Sequence, residues 1–295
     1  MPQETTAVIS DSERASLVAE LLASIKHSHY GPDEAHVEIH GNEVLGVHLV
    51  EGLEVVSRTL PDGVDVDIRV KKGVTIAKPV HFCFGILPEQ GVQRIVSRTV
   101  IEEGAHARFM VHCTFPNAVD VRHMMEATIT VEANASLSYL ERHVHGPEGG
   151  LTIVPVTRVT VGEDARFSTE FELVEGAAGV MELDYAAVCH KGAVVDMKTR
   201  VYGRLKDRIH IREAAVLEGE GSVAVLTSHI ALKDDSYADI ENEIVANAPF
   251  CRGHVDCKEI LQGRARARAV PVVVVNDHRA HVTHEAAIGS VDSKQ

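Results

Sequence analysis

The spacing of apolar residues changes once along the chain. Val18, Leu21, Leu22 and Ile25 recur at helical intervals, and Ser10 followed by Glu13 has the form of a capping box. This predicts one N-terminal helix, fading near His27 to Tyr30 ahead of Gly31-Pro32. From Ala35 onward the interval is two. Val37 and Ile39, then Val64, Val66, Ile68 and Val70, alternate with polar residues as half-buried strands do. Valine supplies roughly one residue in seven, a strong bias towards pleated backbone.

The central region repeats itself. Turn-like segments at Gly104, Asn134, Asp164, Gly192 and Glu220 are spaced by 28–30 residues, within the range of stacked arrays. Weaker turn signals at half the period fall around Gly176–Gly179, Asp234–Asp235, Gly263 and Asn276–Asp277. Each repeat then supplies two or more short strands that bury their apolar face only by stacking on neighbours. A two-sheet sandwich also has short strands at regular intervals. The even spacing, and an aromatic content of 4% with no Trp, favour a β-helix or a related stacked solenoid with a narrow aliphatic interior.

Composition narrows the function classes. At 295 residues, 45% hydrophobic and 24% charged, the chain is globular and can bury a sizeable core. A net charge of −14 argues against nucleic acid, and the only dense basic stretch is Arg264 to Arg268. The apolar run Ala269 to Val275 is far short of the roughly 20 residues of a membrane helix. The N-terminus has no basic segment leading into an apolar one, so a cytoplasmic protein without a secretion signal is expected. Five scattered cysteines do not form a disulfide framework. No Walker loop, dinucleotide fingerprint or nucleophile elbow occurs, and the many carboxylates read as solvated faces, so an enzyme is not expected.

Thiols and imidazoles carry more information. Cys83, Cys113 and Cys189 sit in apolar strands, where buried free thiols are the ordinary outcome. The spacing between Cys251 and Cys257 is no standard metal motif. His143 and His145 share a strand face and could chelate a metal, although two surface histidines are the plainer reading. Arg264, Arg266 and Arg268 point one way and their alanines the other, as a solvated edge or as counter-charges to thiolate or sulfide. His284 is in phase with Val282, Ala286 and Ile288 and reads as a structural histidine, whereas Glu285 points the opposite way with His281 and Thr283.

Two blocks resemble the SufB/SufD family of iron–sulfur cluster assembly scaffolds. They are AspCysLysGluIleLeuGlnGly (256–263), followed by a proline, an apolar strand, AsnAsp (276–277) and HisGluAla (284–286), and HisCysThrPheProAsn (112–117) with ArgHisMetMetGluAlaThr (122–128). The likeness covers roughly residues 75 to 292 and implies a right-handed parallel β-helix, in agreement with the repeats. Together with the helical pattern at the start, it divides the chain into an N-terminal helical segment (1–34), a β-helix core (35–292) and, at 293–295, the start of a missing or truncated helical tail that in relatives docks a SufC-type ABC ATPase.

Carried over by position, the resemblance makes Cys257 the thiol that holds the nascent cluster, with Glu285 beside it. His284 becomes the histidine of the subunit interface, and Cys113 a cysteine of sulfur transfer. It implies a transient iron–sulfur cluster, 4Fe–4S in preference to 2Fe–2S, with Cys257, His284 and Glu285 as metal ligands. Because one chain carries marks that SufB and SufD divide between them, a homodimer is expected, with an ABC ATPase, a sulfur donor and client apoproteins as partners. Glu141 and His143 stand where the family has glutamine and tryptophan, and the lysine expected near Thr157 is absent. These departures argue against a SufB-like sulfur tunnel. The competing reading is a plain structural or interaction solenoid in which Cys257 is a packing residue.

Overall fold

The structure, a computed structural model, describes residues 10–291. Residues 1–9 of the predicted helical segment and the predicted tail at 293–295 lie outside them. Helix α1 (Asp11–Ser24) precedes nineteen strands among the described residues. The first are β1 (His36–His40), β2 (Glu43–His48), β3 (Leu53–Leu60), β4 (Gly63–Val70), β5 (Val80–Gly85) and β6 (Gln90–Ile101). Next come β7 (His106–Phe115), β8 (Asp120–Val131), β9 (Ser136–His145), β10 (Leu151–Val161), β11 (Arg166–Glu175) and β12 (Val180–Cys189). The series closes with β13 (Val194–Gly203), β14 (Arg208–Leu217), β15 (Val223–Leu232), β16 (Tyr237–Ala246), β17 (Arg252–Gln262), β18 (Arg266–Val275) and β19 (His281–Val291).

These strands form a parallel β-solenoid, as the repeats predict. Odd-numbered strands from β5 to β19 stack in a ten-stranded first sheet that ends in β1 and β2, and even-numbered strands from β4 to β18 in a nine-stranded second sheet that ends in β3. The sixteen strands β4 to β19, two per turn, make eight turns. Antiparallel pairs β1–β2 and β3–β4 close the N-terminal end. At the other end β18 and β19 are the edge strands of the two sheets. Most central strands run ten to twelve residues, longer than the short strands the repeats suggest, because each turn is spent on two flat faces and two tight corners.

The corners sit where the turn signals fall. Gly104, Asn134, Asp164 and Gly192 have φ of 67°, 58°, 54° and 64°, the left-handed conformation that glycine, asparagine and aspartate adopt most readily. In the next turn this residue is Gly221, φ 70°, one place after the predicted Glu220. The backbone N–H of each donates to a carbonyl of the following corner at 2.9–3.0 Å, so the corners stack as a ladder of their own. The opposite corners also carry left-handed residues, Gly179, Leu205, Asp234 and Gly263, with φ of 68°, 55°, 62° and 71°.

One continuous apolar core runs the length of the solenoid between the sheets. Small aliphatics dominate it, joined by Phe82, Phe109, Phe115, Phe167 and Phe171, all fully buried on the inner face of the first sheet. Helix α1 has the predicted capping box and packs outside the solenoid. Leu17, Val18, Leu21 and Ile25 meet Leu45, Cys83 and Leu87 on the outer face of the first sheet. Gly85 permits that approach, since a Cβ there would come within 2.6 Å of the Leu21 side chain.

Candidate functional site

Strand β17 alternates cleanly. Val255, Cys257 and Glu259 face the interior, and Asp256, Lys258 and Ile260 face solvent. Cys257 is fully buried, flanked in register by Ser228 of β15 and Ala286 of β19. Burial first, then the nearby carboxyls of Glu259 and Glu213, pushes its thiol up to about 12, so ionisation requires a metal or a change of surroundings. Glu259 is 1% exposed, and neither carboxylate oxygen has a hydrogen-bond partner among the described residues. Desolvation pushes its carboxyl up to about 7. Glu213 enters from the second sheet and is satisfied. Thr199 Oγ1 donates to its Oε1 at 2.7 Å, and Ser228 Oγ and Asn242 Nδ2 donate to its Oε2 at 3.3 Å. Thr199, Ser228 and Cys257 are successive register partners, so this polar cluster leads directly to the thiol.

On β19 the structure keeps the predicted phases. His284 lies on the inner side of the edge strand beside Val255, and Glu285 lies on the outer side beside Asp256. Both are exposed. Glu285 Oε1 accepts a hydrogen bond from Lys258 Nζ at 3.0 Å, and the same Nζ donates to Asp256 Oδ2 at 2.8 Å. Within one chain Cys257 and Glu285 therefore lie on opposite faces of the first sheet. The arginine row faces outward from β18 and is held by aspartates of the neighbouring turn, Arg264 by Asp235 and Arg268 by Asp239. It is a solvated edge.

A second interior cluster lies nearer the N-terminus. Cys113 of β7 is the register partner of His143 of β9, and Glu141 faces inward two residues before it. Ligand atoms of these three buried residues all lie within 4.8 Å of one another. Glu141 Oε1 lies 2.9 Å from His143 Nε2, and its Oε2 accepts from the Tyr185 hydroxyl at 2.5 Å. His143 Nδ1 is 3.2 Å from His145 Nε2, and His145 Nδ1 donates to the Ala177 carbonyl at 2.9 Å. His123 projects from the second sheet with both ring nitrogens unpartnered. Desolvation holds His123, His143 and His145 down at about 3 and pushes Glu141 up to about 7, so the imidazoles are neutral. The reading of His143 and His145 as surface residues is overturned. They are 1% and 5% exposed, because their strand phase puts them in line with Leu137 and Tyr139.

Residues 114–268 match the family model described as SUF system FeS cluster assembly, SufBD core domain. An iron–sulfur cluster assembly SufBD family protein of Methanocaldococcus jannaschii is 33% identical over 285 residues, covering 94% of this chain and 89% of that protein. The chain belongs to the SufBD family. A SufBD family protein of Pyrococcus horikoshii is 30% identical, covering 90% of this chain and 81% of its own length, and a second from that organism is 27% identical over 77% and 51%. The matched core begins at Thr114 and ends at Arg268, so Cys257 lies inside it while Cys113, His284 and Glu285 lie outside.

For this SufBD chain, sequence reasoning located all the thiols and noted Glu141 as a departure from the family, but read none of the carboxyls that face the thiols as interior. Glu141, Glu213 and Glu259 occupy core phases of regular strands, between Tyr139 and His143, Ile211 and Ala215, and Cys257 and Leu261. The alternation itself was the available signal. A charged residue in phase with buried neighbours marks an interior polar site.

Proposed function

We propose that this SufBD protein is a scaffold on which a labile iron–sulfur cluster is assembled between two copies of the chain and passed to client apoproteins. The chain itself is no enzyme in this reading, and an ABC-type ATPase partner supplies the hydrolysis. The observation that carries it is the Cys257–Glu259 pair, a buried thiol beside an unpartnered buried carboxyl, one strand in from the edge of the first sheet. The apolar side chains on that edge support pairing of two copies. Ile288 and Val291 of β19 are 49% and 53% exposed, and Val275 of β18 is 46% exposed, on strands whose outer backbone groups have no neighbouring strand among the described residues.

One thiolate per chain, supplemented by imidazole and carboxylate, binds iron more weakly than four thiolates would. That suits a cargo that must leave. In this reading Cys257 supplies the thiolate, and His284 and Glu285, exposed on the edge strand, supply imidazole and carboxylate across the pairing surface. Rearrangement of that surface, driven by the ATPase, exposes the thiol and lets the incoming metal displace its proton. The cluster is of the 4Fe–4S type in preference to 2Fe–2S.

Anaerobic reconstitution with ferrous iron and sulfide tests this. The wild-type chain should develop the visible absorption of a sulfide-bridged cluster, and Cys257→Ala should not. A chromophore of equal intensity in Cys257→Ala would contradict the proposal.

A further inference from the structure

The interior cluster around Cys113 is built differently from the site at Cys257. We propose that Cys113, Glu141, His143 and His123 bind a resident divalent transition-metal ion, Zn2+ or Fe2+, inside the solenoid, separate from the assembly site. The placement follows from strand geometry. Glu141 and His143 lie two apart on one inner face, Cys113 sits opposite His143 on the adjacent strand, and His123 enters from the facing sheet with its ring centroid 6.0 Å from that of His143. Donor atoms around a tetrahedral ion with bonds of about 2.0–2.3 Å lie about 3.3–3.8 Å apart, so Cys113, Glu141 and His143, within 4.8 Å of one another, need only a small adjustment, and His123, outside that group, would have to turn in to complete the set.

Two features point to a metal rather than to a hydrogen-bonded core alone. The first is the tautomer. His145 Nδ1 carries the proton donated to Ala177, so His145 Nε2 must accept, and His143 must hold its proton on Nδ1. This leaves the His143 Nε2 lone pair facing Glu141 Oε1 at 2.9 Å, where it accepts the carboxyl proton until a metal would displace it, with a hydrogen-bonded imidazole behind it in the arrangement that orients metal-bound histidines. The second is His123, fully buried with neither nitrogen partnered among the described residues. An imidazole left so costs free energy that ligation would recover.

Charge selects the ion. Binding releases the Cys113 thiol proton and the Glu141 carboxyl proton to solvent, and the thiolate and carboxylate then cancel the dication. A neutral buried site results, avoiding the penalty of an uncompensated interior charge. The mixed sulfur, nitrogen and oxygen donors suit zinc or ferrous iron, whereas Mg2+ and Ca2+ require oxygen ligands. With the ion in place the Cys113 thiolate is a ligand rather than a free nucleophile. The sulfur-transfer role that the family resemblance gives this cysteine therefore passes to a structural or metal-holding one.

The test uses the Cys257→Ser chain, which lacks the thiol of the proposed assembly site, so that the two ideas fail independently. It is refolded with Co2+ present, because burial would slow entry into the folded chain. The expected result is one cobalt per chain with a thiolate-to-cobalt charge-transfer band, lost in Cys257→Ser/Cys113→Ser and with affinity lowered 10–100-fold in Cys257→Ser/His145→Phe. Absence of cobalt from Cys257→Ser, or a band that survives Cys113→Ser, would overturn the proposal. If the Cys113→Ser chain does not refold, the near-isosteric Glu141→Gln is measured instead, and unchanged cobalt affinity there overturns it equally.

Discussion

The two interior polar clusters share the same columns of the solenoid but differ in how they are closed. Glu141, Phe171, Thr199, Ser228 and Cys257 follow one another in register along the first sheet, and Thr157, Tyr185, Glu213 and Asn242 along the second. Around Cys113 three imidazoles, one carboxyl and a tyrosine hydroxyl converge deep in the stack, behind closed turns on both sides. Around Cys257 there is no imidazole on the inner face of β17. Two carboxyls face a thiol one strand from an exposed edge, and only Glu213 has its hydrogen bonds completed. A closed, nitrogen-rich cluster suits retention and an open, half-satisfied one suits exchange. The same fold thus offers a place to keep a metal and a place to hand one over.

Glu213 is the point where the second cluster is most fully built, so its loss should have the largest effect. Glu213→Ala leaves the Thr199, Ser228 and Asn242 donors without their acceptor and opens a cavity, at a cost of about 2–4 kcal/mol. Glu213→Gln keeps an acceptor and most of the volume and should cost about 1 kcal/mol or less. Urea denaturation of the two variants checks both. Equal losses would mean that the volume and acceptor kept by glutamine contribute nothing, contradicting this account of Glu213.

The clusters should also answer pH with opposite sign in the metal-free chain. His123, His143 and His145 fall from an ordinary 6.5 to about 3 on folding. The unfolded chain therefore takes up protons first as pH falls, and the stability they supply, complete above about pH 6.5, is lost towards pH 3. Glu213 and Glu259 rise from 4.5 to about 7. Their contribution is complete below about pH 4.5 and lost as pH rises through 7. Glu141 also rises to about 7, but three imidazoles outweigh it in its own cluster. Hydrogen exchange, referred to unfolded-chain rates at each pH, should show β8 to β10 losing protection on acidification and β14 to β17 losing it above neutrality. Parallel responses in both regions would contradict the assignment of charge states.

Smaller changes sharpen the contrast. Tyr185→Phe removes the hydroxyl donated to Glu141 and should cost about 1–2 kcal/mol by the same denaturation measurement. Lys258→Met breaks a solvent-exposed pair with Glu285 and should leave the urea midpoint almost unchanged. If it costs more, the outer face of β17 carries structural weight that the exposure of these groups does not suggest.

The architecture was readable because its corners repeat. Gly104, Asn134, Asp164 and Gly192 announce both the period and the backbone conformation that the corners require. The helix was equally plain from Ser10 and Glu13. The interior chemistry was not, since hydropathy treats Glu141, His143 and Glu213 as outward-facing, whereas in a strand phase decides the face regardless of residue type. The resemblance led to Cys257, His284 and Glu285. It takes the structure to show that one chain sends Cys257 and Glu285 to opposite faces of a sheet, and that Glu259, not Glu285, is the carboxyl beside the thiol within that chain.

Native mass spectrometry of the anaerobically reconstituted protein tests most directly whether Cys257 gathers a cluster between two copies. The predicted species is two chains carrying one cluster mass, absent from Cys257→Ala. A cluster carried by a single chain, or retained on the Cys257→Ala dimer, would contradict the account.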